Sequence, residues 1–152
     1  MADIKDFLKT DFENQIKNSF EQNRHIEWIS FRYILLDLFL KAFLYISLKT
    51  ENKDKSNIDY INRLTFGNTI RIASLSGLID TELRKKLYKF SEWRNLVIHN
   101  LIMKNEKIEK INLKEFFELG KLCTDKLSRK MIIYIPNKMI LDSIIEELYH
   151  KK

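Results

Sequence analysis

Apolar residues recur along most of this chain at the three- and four-residue intervals of an α-helix. Leu8, Phe12, Ile16 and Phe20 repeat every fourth residue, predicting an amphipathic helix over 3–20 with Asp3 as N-cap. Residues 24–49 are the most apolar stretch. From Ile34 to Leu48 apolar positions lie on nearly every side, the pattern of a central bundle helix. Glu51 to Asn57 is polar and aperiodic and reads as a loop, with Asn57 capping a short helix through Leu64. Thr65-Phe66-Gly67-Asn68 opens another helix, with Ile70, Ala73 and Leu75 as core candidates, and Gly77 stops it. Asp80 or Thr81 caps a helix over 81–102, with Glu82 favourably placed in its first turn. After a charged connection at 104–110, Phe116, Phe117, Leu119, Leu122, Cys123 and Leu127 supply the apolar face of a helix over 113–134. Pro136 ends it, and Asn137 caps a last helix carrying Ile140, Leu141, Ile144, Ile145 and Leu148.

Composition sharpens the class. Three glycines and one proline in 152 residues leave few tight turns, and 45% hydrophobic content with ten phenylalanines supports a real core. The expected fold is all-α: a single domain over 1–152, built as an up-and-down bundle of four to six helices. No repeat, heptad run or linker divides the chain. Phe31 to Leu48 is apolar enough to suggest a membrane span, but it contains Arg32, Asp37 and Lys41. Charges inside a span are costly, and Asp37 and Lys41 have the spacing of a helix surface pair, so a helix buried in protein and no membrane partner are expected. The single Cys123 lies in an apolar-periodic segment and reads as a buried structural thiol. No secretory signal pattern opens the sequence, so the expected location is cytoplasmic. A net charge of +6 is compatible with an anionic partner such as nucleic acid.

The chemistry concentrates in Ser91–Asn100. On a wheel at about 100° per residue, Leu83, Leu87, Phe90, Val97, Ile98 and Leu101 form one stripe, and Arg94 falls in its middle. An arginine there needs a partner to offset its desolvation. One reading is a buried ion pair with Asp37 or Glu27. The other is a cation facing a cleft or a second subunit, available to phosphate. His99 lies about 140° round from Arg94, so the two are not neighbours within one chain. Asn95 and His99 are four apart, and Tyr88 and Glu92 continue their face as a polar stripe. Asn95 is suited to orient the imidazole or to bind a substrate oxygen. His25 and His150 have no companion at metal-ligand spacing, and no phosphate-binding loop, dinucleotide fingerprint or nucleophile elbow is present. A side-chain-only site without metal or cofactor is expected.

Phe66-Gly67-x-x-Ile70-x-x-Ala73-x-x-x-Gly77-Leu78-Ile79, then a capped helix, then Arg94-Asn95-x-x-x-His99, together resemble the HEPN superfamily of helical domains. Asp37-Leu38-x-x-Lys41-Ala42 in the apolar second helix is in keeping. The resemblance covers residues 24–102. It implies a bundle of four or five helices that dimerises across the motif helix, and a metal-independent endoribonuclease, often a toxin or a defence or stress effector. His99 would serve as general base or acid on the ribose 2′-hydroxyl or the leaving oxygen, Arg94 would bind the scissile phosphate, and Asn95 would position either group; Tyr88, Glu92 and Asn100 would support them. An RNA substrate, a homodimer and a cognate antitoxin or regulatory protein are the partners implied. HepT-like toxins carry a tyrosine two residues beyond the histidine, which the antitoxin modifies with AMP; here that position is Leu101. The same run also resembles the mannitol operon repressor group. That likeness implies a regulatory or interaction module without catalysis, in which Arg94 and Asn95 hold the helix end in the bundle.

Overall fold

The longer helices described alternate in direction along the chain. The computed structural model describes residues 11–102 and 112–134. They form six α-helices: α1 (Phe12–Glu21), α2 (His25–Ser47), α3 (Lys55–Arg63), α4 (Phe66–Leu75), α5 (Thr81–Ile102) and α6 (Leu113–Tyr134). One 3-10 turn, Thr50–Asn52, precedes α3, and no strand occurs among the described residues. Paired side chains fix the alternation. Glu13 meets Arg32 while Phe20 meets Trp28, so α1 and α2 are antiparallel. Trp28 packs on Phe116 while Arg32 reaches Thr124, so α2 and α6 run parallel. Phe90 stacks near Phe116 while Glu82 binds Lys126, so α5 opposes α6. The expected all-α up-and-down bundle is what forms. No described helix is long and apolar enough to cross a membrane.

Short polar side chains set the helix starts. Asp11, Asp54, Thr65 and Asp80 each accept a backbone N–H three residues on, filling one orphan donor of α1, α3, α4 and α5. Two of these correct the sequence reading. Asp11, inside the helix predicted over 3–20, stands outside any helix and caps α1, which begins at Phe12; residues 3–10 of that prediction lie outside the described residues. Asp54, not Asn57, caps α3; the Asn57 N–H donates to Asp54 Oδ1 at 2.8 Å. Asp3, the connection at 104–110, Pro136 and the helix expected from Asn137 lie outside the described residues.

Two stops share one geometry. Gly77 takes φ 74°, with Leu78 N–H bonded to Ala73 O and Gly77 N–H to Ser74 O. Asn23 takes φ 56°, with Arg24 N–H bonded to Ser19 O and Asn23 N–H to Phe20 O. These double closures satisfy the last carbonyls of α4 and α1. Asparagine tolerates the left-handed conformation better than most residues, which turns the join at 21–24 into a clean reversal.

α2 is the spine. It packs against α1, α3, α4, α5 and α6, and Trp28, Ile29, Leu36, Leu40 and Ala42 are fully buried along it. Around Trp28 lie Phe20, Phe116 and Phe117 at ring separations of 5.1–5.6 Å. The Asp37–Lys41 pair forms at 2.8 Å, but inside: Lys41 is 6% exposed and also donates to Asn62 O. Burial raises the Asp37 carboxyl above its usual value, against the hydrogen bond and charge of Lys41. Leu75 and Leu122, expected in the core, are exposed. Leu75 stands about 140° round α4 from Ile70, so it follows the solvent side when Ile70 and Ala73 turn inward.

Candidate functional site

The motif helix α5 is held on two sides. α4 covers its first half, since the Tyr88 hydroxyl donates to Gly67 O near the start of α4. α6 lies alongside it as far as Trp93, from Lys130 beside Asp80 to Phe116 beside Trp93. The last turns of α5 run past the N-terminus of α4 and lie near the beginning of α2, where Leu101 joins Asn23–Glu27 and Ser30 around a cleft of about 460 Å³. Leu83, Leu87, Phe90 and Val97 are buried and Ile98 and Leu101 half-buried, as the wheel predicts.

Arg94 occupies the stripe as expected, but neither predicted carboxylate holds it. Asp37 binds Lys41, and Glu27 binds Arg24 at 2.9 Å. Instead the Arg94 guanidinium carbon stands 3.8 Å from the centroid of the Tyr33 ring. A ring face attracts a cation without using any of its N–H donors. Tyr33 is itself packed against Phe66, the first residue of α4, at 4.9 Å. Burial pushes the Tyr33 phenol above its ordinary value, with the Arg94 charge pulling the other way and Asp37 adding to the rise. One Arg94 terminal nitrogen donates to Asn95 Oδ1 at 3.1 Å, and its buried Nε has no hydrogen-bond partner among the described residues.

Asn95 therefore braces the arginine. The sequence reading let this amide bond the imidazole, its neighbour one turn on, but its oxygen is on Arg94. His99 is exposed in the last turn of α5, on the face shared with Tyr88, Glu92 and Asn95, all exposed. It makes no hydrogen bond or ion pair among the described residues. Asn100 lies on the other side and is buried at 7% exposure, so it belongs to the packing of the helix rather than to the polar stripe. Arg94 and His99 stand on different faces of one helix, one inward and one outward.

Two residues were missed from sequence. Tyr33 supports Arg94 from α2, and only the tertiary fold brings it there; its place in a nearly all-apolar run gave no signal. Arg32 is the buried arginine that pairs with a carboxylate. It is 1% exposed, bound bidentately by Glu13 at 2.5 and 3.0 Å and hydrogen-bonded to Thr124 Oγ1 at 3.1 Å. Cys123 is buried as expected, and burial pushes its thiol up to about 12, far from a working nucleophile. No group of three or more His, Cys, Asp or Glu that would hold a metal ion occurs among the described residues.

Comparison with known proteins finds no matching family model, no similar curated protein and no similar solved structure.

Proposed function

We propose that this chain is a metal-independent endoribonuclease of HEPN type, a toxin or defence effector that works as a homodimer with Arg94 of one copy and His99 of the other at one cleft. The observation that carries the reading is the state of Arg94. A half-buried arginine in an apolar stripe is held by a ring and an amide oxygen rather than neutralised by a carboxylate. Its charge remains available to a phosphate, and the planar fork suits two phosphate oxygens.

In the proposed reaction His99 takes the proton of the ribose 2′-hydroxyl or delivers one to the leaving 5′-oxygen, work suited to imidazole at neutral pH. The 2′-oxygen attacks the adjacent phosphorus, the bond to the 5′-oxygen breaks, and a 2′,3′-cyclic phosphate remains. Arg94 stabilises the charge that builds on the non-bridging oxygens. Asn95 and Tyr33 hold the guanidinium in place, so little ordering is left for the transition state.

The runner-up is a non-catalytic regulatory or interaction module of the same fold. It is favoured by the same stacking, because Arg94 on Tyr33 also ties the end of α5 to α2. Incubation of pure protein with RNA in EDTA separates the two. Wild type is expected to cut and leave cyclic phosphate ends; His99→Ala and Arg94→Ala are each expected to lower the rate by at least about 100-fold while melting as wild type within a few degrees. Undiminished cutting by His99→Ala would sink the mechanism.

A further inference from the structure

A second cluster of positive charge lies on the same helix, two turns and more before the motif. Arg71, Ser74 and Leu75 of α4 face Arg84 and Tyr88 of α5 across a cleft of about 290 Å³. Neither arginine has a carboxylate partner among the described residues. The nearest acidic residue in sequence, Glu82, is occupied: Lys86 and Lys126 both bind it, and their hydrogen bonds and charges hold its carboxyl down to about 2. No carboxylate lines the cleft. The cleft between α1 and α6 is different in kind, because Glu13, Glu21, Glu118 and Asp125 there offset its lysines.

The residues around the two arginines suit a nucleotide. Leu75 is 79% exposed, the side chain the sequence wrongly placed in the core, and Tyr88 is 39% exposed. An apolar side chain and a ring edge beside two guanidinium groups and the Ser74 hydroxyl offer a surface for a base or sugar next to a phosphate. Position along α5 connects this cleft to the motif. Arg84, Tyr88, Asn95 and His99 are spaced by four, seven and four residues, so they lie on one stripe of the helix. From Tyr88 to His99 is about 16 Å along the axis, a few nucleotides of extended strand. Lys85 and Lys89 flank the stripe and are exposed; Glu92 is the acidic residue on it.

The geometry points to a phosphate-binding subsite at Arg71 and Arg84 that anchors single-stranded RNA a few nucleotides from the bond at His99. This rests on the ribonuclease reading for its ligand, and it adds residues of α4 that the motif does not contain.

The test uses the full-length protein and a fluorescein-labelled single-stranded RNA of about 12 nucleotides, 2′-O-methylated throughout so that it cannot be cut. Titrations at several salt concentrations compare wild type, Arg71→Ala/Arg84→Ala and, as a control for removal of charge elsewhere, Lys17→Ala/Lys121→Ala. The arginine variant is expected to bind at least about tenfold more weakly, with a salt slope shallower by about 0.7 for each phosphate that is no longer neutralised. The lysine variant is expected to change affinity by less than about twofold. Equal weakening of both variants, or no weakening of the arginine variant, would overturn the subsite. The Arg71→Lys/Arg84→Lys variant keeps the charge and is expected to keep the salt slope. An all-ribose RNA of the same sequence, run in parallel, reads the other question: binding that depends on the arginines without any cutting by wild type leaves the subsite standing and removes the ribonuclease reading.

Discussion

Arg32 and Arg94 are both arginines set into apolar helical stripes, and they are held in opposite ways. Arg32 is neutralised by Glu13 and hydrogen-bonded to Thr124, so its charge and both terminal nitrogens are engaged inside the bundle, although its Nε, like that of Arg94, has no hydrogen-bond partner among the described residues. Arg94 lies against the Tyr33 ring and one amide oxygen, which leaves its charge uncancelled. The sequence exposed Arg94 as an anomaly because its helix is otherwise cleanly amphipathic. It did not expose Arg32 as the paired one, because Glu13 is nineteen positions away and on another helix. Tyr33→Phe keeps the ring face and is expected to retain most of the RNA-cleaving rate, whereas Tyr33→Leu is expected to lose about tenfold, the effect of roughly 1.4 kcal/mol of cation–ring attraction. Equal rates for the two variants would mean that the ring does not hold the guanidinium.

Among the helices, α6 shows how closely the bundle is fitted. Gly120 faces both α2 and α5, and a methyl group there would stand 2.8 Å from Arg32 Cγ and 2.9 Å from Phe90 Cε2. Neither neighbour moves cheaply. Arg32 is fixed by its ion pair, and Phe90 is fully buried. Gly120→Ala is therefore expected to destabilise by about 1–3 kcal/mol through overpacking, although alanine is intrinsically about 1 kcal/mol the better helix former. Urea unfolding gives the sign, and a raised midpoint would show that α6 shifts to make room. Asp11 and Asp54 show that some helix starts were misread, but several boundaries were legible because caps and stops are local. Thr65, Gly77 and Asp80 act within a few residues of themselves. Asn23 was less legible, since a left-handed asparagine is an option that sequence permits without requiring.

At the scale of the whole molecule, the separation of Arg94 and His99 on one helix makes a second copy part of the proposed mechanism. Complementation tests it. Arg94→Ala and His99→Ala are each expected to be inactive, but equal amounts mixed and allowed to exchange subunits are expected to recover about a quarter of wild-type activity. Half of the dimers then carry both variants, and one of the two sites in each such dimer has both native residues. No recovery despite demonstrated exchange would place the two groups in one chain and end the two-copy arrangement.

The pattern along the chain was enough for the helical class, the central role of α2 and the polar stripe on α5. Each follows from periodicity, caps and a scarcity of breakers, and each is decided within a few turns of chain. Which groups face one another across helices depended on packing. It gave the buried ion pair to Arg32, put Tyr33 beneath Arg94, turned Leu75 out of the core, and set Arg71 opposite Arg84. The reason is physical: a wheel fixes the direction of a side chain about its own axis, while its partner is fixed by the rotation and register of a neighbouring helix, which packing alone selects.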